Sequence, residues 1–310
     1  MQLKSIIKFA SLLFAAPVFA GGCEDIDKCP AEILIVATKP EYRNEEQNQG
    51  LESVRTTLEK FSVSANKYEI SPEGVSTEDL QKILYDKNNK GRYKAIIFPN
   101  GRVSYSNGGD VWSSAIRPDQ WKVFTDYSAQ TKNKIVYLNE YPSNNTGTEL
   151  AYDFTGNPLN YKVPQPIIIE DGMIGADELN KLELTTEETW HFPAKITPNA
   201  PGFTVVEPLM YFGPNNVAPE QTIGAVACET AEGAKTAAFF TSFGSWSRVS
   251  AALNIYWLTW VYEMDFSKIS EAQYSTEDAI RMAASDAPRS TKLGIALVLS
   301  TISAVLLTLF

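Results

Sequence analysis

Tyr93-Lys94-Ala95-Ile96-Ile97-Phe98-Pro99-Asn100-Gly101 is the stretch that decides the fold. Its apolar run does not alternate with polar residues, so it reads as a strand covered on both faces, as in the middle of a parallel sheet. Pro99-Asn100-Gly101 then stops it with turn-forming residues. Moving towards the N-terminus, Ser76-Thr77-Glu78-Asp79-Leu80 starts a helix with Leu80, Ile83 and Leu84 on one face. Tyr68–Ile70 is a second strand, and about Gln47 to Lys60 is a helix with Leu51, Val54, Leu58 and Phe61 at helical spacing. Ile33-Leu34-Ile35-Val36 is another buried run. Towards the C-terminus, Pro118-Asp119-Gln120-Trp121 opens a helix that turns Trp121, Phe124 and Tyr127 inward, and Lys134–Leu138 is a fourth strand. The order β-α-β-α-β-α-β predicts a doubly wound α/β fold of flavodoxin or amidotransferase type, with a mostly parallel sheet.

The segment 149–218 has a different composition, rich in Pro, Asn and Thr, with short strand-like pieces at Pro166–Ile169 and Phe203–Val206. It is expected to be a β-rich insertion or subdomain. The α/β pattern returns with a strand at Ala237–Phe240 and a helix from Ser247 to Met264, expected to be the longest, which carries Trp257, Trp260 and Val261. The central sheet should therefore contain Ile33–Val36, Ala95–Phe98, Ile135–Leu138 and Ala237–Phe240.

Both ends carry targeting patterns. Lys4 and Lys8, an apolar run Phe9–Ala16 and Val18-Phe19-Ala20 make residues 1–20 a cleavable secretory signal. At the other end, Leu293–Phe310 is uncharged, the polar spacer Pro288–Lys292 precedes it, and small residues Ala283–Ala287 precede that. Together these form the pattern of a glycosylphosphatidylinositol (GPI) anchor signal, with Ser285 as the preferred attachment residue and Ala283 and Ala284 as rivals. A transmembrane helix would be somewhat longer and flanked by basic residues. The expected organisation is a folded domain at 21–266, a short polar stalk at 267–285 and an anchor propeptide at 286–310. The partner implied by the tail is a lipid bilayer, reached through the GPI anchor.

Charge narrows the remaining partners. Losing Lys4 and Lys8 with the leader, and Asp286, Arg289 and Lys292 with the tail, takes the formal net charge from −10 to −13. An acidic chain with no Lys/Arg cluster is unsuited to binding nucleic acid. Cys23 and Cys29 lie close enough in sequence for a local disulfide in an oxidising compartment. Cys228, inside the apolar run Ile223–Cys228, reads as a buried thiol; its pairing with either of the others is left open. Asn144-Asn145-Thr146 is an N-glycosylation sequon in a turn-rich stretch.

The usual catalytic constellations are missing from the sequence. The one histidine, His191, sits between Trp190 and Phe192 and reads as a core residue before a ligand-contacting one. It cannot supply a two-histidine metal site, so no metal and no cofactor is expected. Neither Phe98–Gly101 nor Leu138–Pro142 carries the nucleophilic cysteine found at the strand-to-helix turn of amidotransferase-like folds, and no G-x-S-x-G elbow occurs. Ser106–Asp110 matches no phosphate-binding pattern. Carboxylates are plentiful, but their spacing singles out no glycosidase pair.

Aromatic and hydrogen-bonding residues are instead concentrated just beyond strand ends: Tyr105, Asn107, Asp110 and Trp112 after the third strand, Asn139, Glu140 and Tyr141 after the fourth, Ser242, Ser245 and Trp246 after the last. Ligands of open α/β sheets bind outside the carboxyl ends of the strands. Flat rings beside amides and carboxylates suit sugars, which offer apolar C–H faces and hydroxyls. Tyr105, Asp110, Trp112, Glu140, Tyr141 and Trp246 are therefore the candidate carbohydrate-binding residues. The competing readings are that Trp112 and Trp246 are core packing, or that Trp190, His191 and Tyr211 in the β-rich segment form the surface.

Three stretches carry a family resemblance: Pro118–Trp121 through Ile135–Ser143, Trp190–Ile196, and Phe239–Trp246 through the Trp-rich helix to Tyr262. Over roughly residues 31–265 the chain resembles the carbohydrate-binding region of fungal secreted deacetylases that act on galactosaminogalactan. The resemblance implies a polysaccharide partner. Those enzymes continue into a metal-dependent domain with Asp and His ligands, which a single histidine cannot match, so it implies binding without hydrolysis. The alternatives are a carboxylate-dependent hydrolase of amidotransferase-like fold, or a structural wall or interaction protein.

Overall fold

A computed structural model describes residues 31–108 and 111–264. The signal and anchor segments, Cys23, Cys29, Asp110 and Ser285 lie outside the described residues. β1 (Ile33–Thr38) is buried at every position, as its uninterrupted apolar run requires. α1 (Glu45–Lys60) starts at a capping box in which the Asn44 side chain accepts from Gln47 N–H and the Gln47 side chain accepts from Asn44 N–H. β2 (Ala65–Ile70), α2 (Thr77–Leu84) and β3 (Ala95–Phe98) follow. A small hairpin, β4 (Ser104–Ser106) with β5 (Trp112–Ser114), then leads to α3 (Pro118–Thr131) and β6 (Lys134–Tyr137).

The second half adds β7 (Thr148–Leu150), β8 (Ile167–Ile169), α4 (Ala176–Asn180), β9 (Ala194–Ile196), β10 (Phe203–Phe212), β11 (Thr222–Thr230), β12 (Lys235–Phe239) and α5 (Arg248–Tyr262). The ten-stranded sheet runs β2-β1-β3-β6-β12-β11-β10-β8, with β9 paired to β11 and β7 to β9. From β2 to β12 every pairing is parallel; beyond β12 every pairing is antiparallel. The α/β class and the parallel core follow the sequence expectation, and the strands of segment 149–218 continue this same sheet as an antiparallel wing. α5 has 15 residues against 16 for α1, so the expectation that the last helix is longest fails by one residue. Glu263 ends it early by adopting a left-handed conformation.

Right-handed crossovers place α1 on one face and α2 with α3 on the other, because the chain moves from β1 to β2 in one direction and from β2 through β3 to β6 in the other. α1 packs beside α5, where buried Asn254 donates to Ser53 at 2.7 Å. α2 packs beside α3. Trp121, Phe124 and Tyr127 are buried on the inner face of α3, where Phe98 meets Trp121 and Phe124 at ring-centroid distances of 5.0 and 5.2 Å. Successive connections leave β1 and β3 in opposite directions. In open α/β sheets such a reversal, at the carboxyl ends of the two strands, is where ligand crevices form.

Candidate functional site

The first turn of α1 builds the crevice rim. Gln47, while capping the helix, also donates its Nε2 to Ser104 O at 2.7 Å and so ties the β4–β5 hairpin to the helix. Asn100, just past β3, donates to Gln47 O at 3.3 Å. A Cβ on Gly50 would lie 3.3 Å from Asn100 Oδ1 and 3.4 Å from Phe243 O, so this glycine lets α1 sit directly on the β3 turn and on the loop after β12. That loop is fastened to α1 by Ser245 Oγ donating to Gln49 Oε1. One helix N-terminus thus gathers the loops after β1, β3 and β12.

Five of the six candidates lie among the described residues, and all five are at this edge. Tyr105 is half-buried on β4, with its ring 6.4 Å from that of Tyr42 in the turn after β1. Trp112 pairs across the hairpin with Ser106 and is 50% exposed. Trp246 is 64% exposed, with its indole Nε1 lying 2.7 Å from where a Cβ on Gly244 would stand, so the glycine makes room for the folded-back ring. Tyr141 is 49% exposed and leans on Phe192 at 5.2 Å. These exposures overturn the packing alternative for Trp112 and Trp246; the indoles that pack the interior are those of Trp121 and Trp257.

Glu140 differs from the rest: it is 2% exposed, and its Oε2 is buried without a hydrogen-bond partner. Gly101, at φ +55°, passes so close that a Cβ there would come within 2.8 Å of Asn139 O and 3.3 Å of Glu140 Oε2. Burial raises the Glu140 carboxyl to about 7, opposed by the positive charge of Arg102. The Arg102 guanidinium lies 4.0 Å from the ring centroid of Trp121 and 5.3 Å from that of Tyr137. Thr38 Oγ1, at the last position of β1, and Asn100 Oδ1, in the turn after β3, are likewise buried and unpartnered. Orphaned polar atoms in one row across three adjacent strand ends mark a place where a ligand or water can supply hydrogen bonds.

The alternative set behaves differently. His191 is 1% exposed; its Nδ1 meets Thr189 O at 3.0 Å, its Nε2 meets Gln165 Oε1 at 3.2 Å, and its ring packs edge-on to Phe212 at 5.1 Å. Burial lowers it to about 4, so it is a neutral core residue at neutral pH. Cys228 is a free buried thiol whose Sγ lies 3.3 Å from Thr146 O, and burial pushes it up to about 12. Asn144 is exposed on a short 3-10 turn, while Thr146 of the same sequon is buried.

With this geometry in place, comparison with known proteins is informative. The family model described as Agd3 CBM87, a carbohydrate-binding module, matches residues 30–260. The chain belongs to the CBM87 family. Among solved structures it is similar to Agd3, described as a novel carbohydrate deacetylase, with a TM-score of 0.59 and 23% identity over 74% of this chain. The match spans only 32% of that protein, so this chain corresponds to about a third of the deacetylase's length. The glutaminase domain of Trypanosoma brucei CTPS with bound acivicin gives a TM-score of 0.42 at 9% identity, covering 76% of this chain and 95% of that domain. No curated protein matches.

Sequence reasoning about this CBM87 chain missed two things. Gln47 and Gln49 look like ordinary helix-surface residues in the sequence; the capping pattern Asn44–Gln47 was the available signal for the first. It also missed a ring series running from Tyr141 through Phe192, Tyr161 and Phe154 to Tyr152, in steps of 4.9–5.9 Å. Those rings come from three separate connections, so no sequence period announces them.

Proposed function

We propose that this chain is a non-catalytic polysaccharide-binding module held on the outer cell surface by a GPI anchor, and that it engages a galactosamine-containing wall or matrix glycan at the carboxyl edge of its parallel sheet. The observation that carries this reading is the exposure of Trp112, Tyr141 and Trp246, each in a segment that follows the carboxyl end of a parallel strand, in a chain of a carbohydrate-binding family. Exposed rings beside hydrogen-bonding groups can stack on sugar faces while amides and carboxylates take the hydroxyls. The galactosamine preference rests on the sequence resemblance to galactosaminogalactan deacetylases, and the anchor on the C-terminal sequence pattern.

A glycan array and a pull-down with insoluble wall polysaccharide test the binding. Capture of galactosamine-rich polymer, weakened in Trp246→Ala, is expected; failure to bind any fungal or host glycan would sink the proposal. One observation favours a second reading, a carboxylate-dependent hydrolase: Glu140 is held near neutrality, as general acids are. The charge acting on it is the cation Arg102 and not a second acid, which counts against a glycosidase pair. Turnover of a bound polymer that disappears in Glu140→Gln would establish the hydrolase instead.

A further inference from the structure

A cleft of about 450 Å³ opens on the antiparallel wing, lined in part by the start of β11. Its walls include Tyr152, Lys195, Tyr211, Glu220, Gln221 and Thr222. We propose that this cleft is a second saccharide subsite, joined to the strand-end site by the ring series that ends at Tyr152, so that the module holds a stretch of polysaccharide along its surface. This rests on the polysaccharide-binding reading above.

Three independent features of the cleft point to a sugar. Thr222 is 7% exposed and lines the cleft, yet its Oγ1 is buried with no hydrogen-bond partner. An orphan hydroxyl at a cavity wall is a group waiting for a donor or acceptor from a guest. The half-buried Tyr152 and Tyr211 bring aromatic faces, and Tyr152 is held in place by Phe154, stacked at 5.9 Å with an interplanar angle of 9°, and by Glu220 N–H donating to its hydroxyl at 3.3 Å. The rest of the lining mixes an amide at Gln221, a carboxylate at Glu220 and the ammonium of Lys195, which is paired with Glu149 at 3.1 Å. Aromatic faces with a few convergent polar groups are the usual makeup of a site for a small polar ligand.

The connection to the strand-end crevice is physical. Tyr141 follows β6 and is one of the strand-end rings; Phe192, Tyr161, Phe154 and Tyr152 continue from it in tilted, edge-on and stacked pairs. Trp190 adds a branch, 6.5 Å from Tyr161 and covered by Lys162 at 4.8 Å. Rings supported from behind by other rings lose little entropy when a sugar stacks on them. Two subsites on one polymer then gain from each other, because binding at the first raises the local concentration of chain at the second.

The test uses the full chain and galactosaminogalactan oligosaccharides graded in length from the disaccharide upward. Affinity should rise with length until both subsites are spanned. Tyr152→Ala and the near-isosteric Thr222→Val should each lose about tenfold for the longest oligosaccharides and nothing for the shortest. Trp246→Ala should weaken both. Thr222→Val keeps the packing if Tyr152→Ala misfolds, and hydrogen exchange at residues 194–196 and 220–223 should slow only with long ligands. Length-independent affinity, with Trp246→Ala impaired and the two cleft variants normal, overturns the second subsite while leaving the strand-end site standing. No binding by the wild-type chain overturns both.

Discussion

At the scale of single residues, exposure decides what each tryptophan does. Trp246→Ala and Trp112→Ala should each weaken glycan binding about tenfold, while unfolding stability changes by less than about 1 kcal/mol, because these rings are 64% and 50% exposed. Trp121→Ala, 8% exposed and packed on Phe98, should cost about 3–5 kcal/mol. Chemical denaturation alongside titration separates the two classes; a large stability loss in Trp246→Ala would make it a packing residue. Glu140 gives a pH prediction. Its folded carboxyl is raised to about 7, whereas the unfolded chain holds an ordinary carboxyl near 4.3. The folded state thus binds this proton more tightly, and the stability it contributes is present at low pH and lost as pH climbs from the unfolded value through about 7. Glu140→Gln should gain on the wild type across that window, by up to about 4 kcal/mol, and run parallel to it above. A constant difference from pH 4 to 8 would mean the carboxyl is not held protonated. The residue's identity and strand-end position were legible in the sequence. Its raised proton affinity was not, since that comes from burial under groups folded against it, Gly101 among them, which outweighs the nearby positive charge of Arg102.

At the scale of elements, the first turn of α1 is the piece on which the rim depends. Gln47 both caps the helix and holds the hairpin, so Gln47→Ala removes two functions at once. It should cost about 1–2 kcal/mol and speed hydrogen exchange in residues 104–114 well before global unfolding. Unchanged exchange in the hairpin would show that the tether is not what orders it. Gly101→Ala makes the complementary case: at φ +55°, with Asn139 O only 2.8 Å from the new methyl, it should destabilise by about 1–3 kcal/mol. The strands of the parallel core were readable because burial on both faces demands unbroken apolar runs. The β4–β5 hairpin was not, because Ser104-Tyr105-Ser106 and Trp112-Ser113-Ser114 are short, polar and half-exposed, and one of their ties is a long-range bond from Gln47 on α1. β11 was seen only as an apolar run, since a continuous run does not say whether its neighbours are parallel or antiparallel.

At the scale of the whole molecule, the proposed surface role requires both a binding face and a tether. Phosphatidylinositol-specific phospholipase C should release the protein from intact cells, and deletion of residues 293–310 should divert it to the medium, as immunoblots of cell and medium fractions would show. A mature protein that retains the intact C-terminal peptide would be a transmembrane form instead. No helix among the described residues is long and apolar enough to cross a membrane.

By itself, the amino-acid order determined the class of fold, because buried parallel strands and amphipathic crossover helices are local patterns of side chains. It also put Tyr105, Trp112, Glu140, Tyr141 and Trp246 just beyond strand ends, because topology sends every parallel strand towards the same edge. Tertiary structure alone decided which indoles face water, why the Glu140 carboxyl is raised, and how rings from three connections line up beside the wing cleft. Those outcomes depend on contacts between residues far apart in the chain, such as Gln47 with Ser104, Gln49 with Ser245 and Tyr141 with Phe192, and burial, electrostatics and stacking are properties of such contacts, for which a linear sequence carries no period.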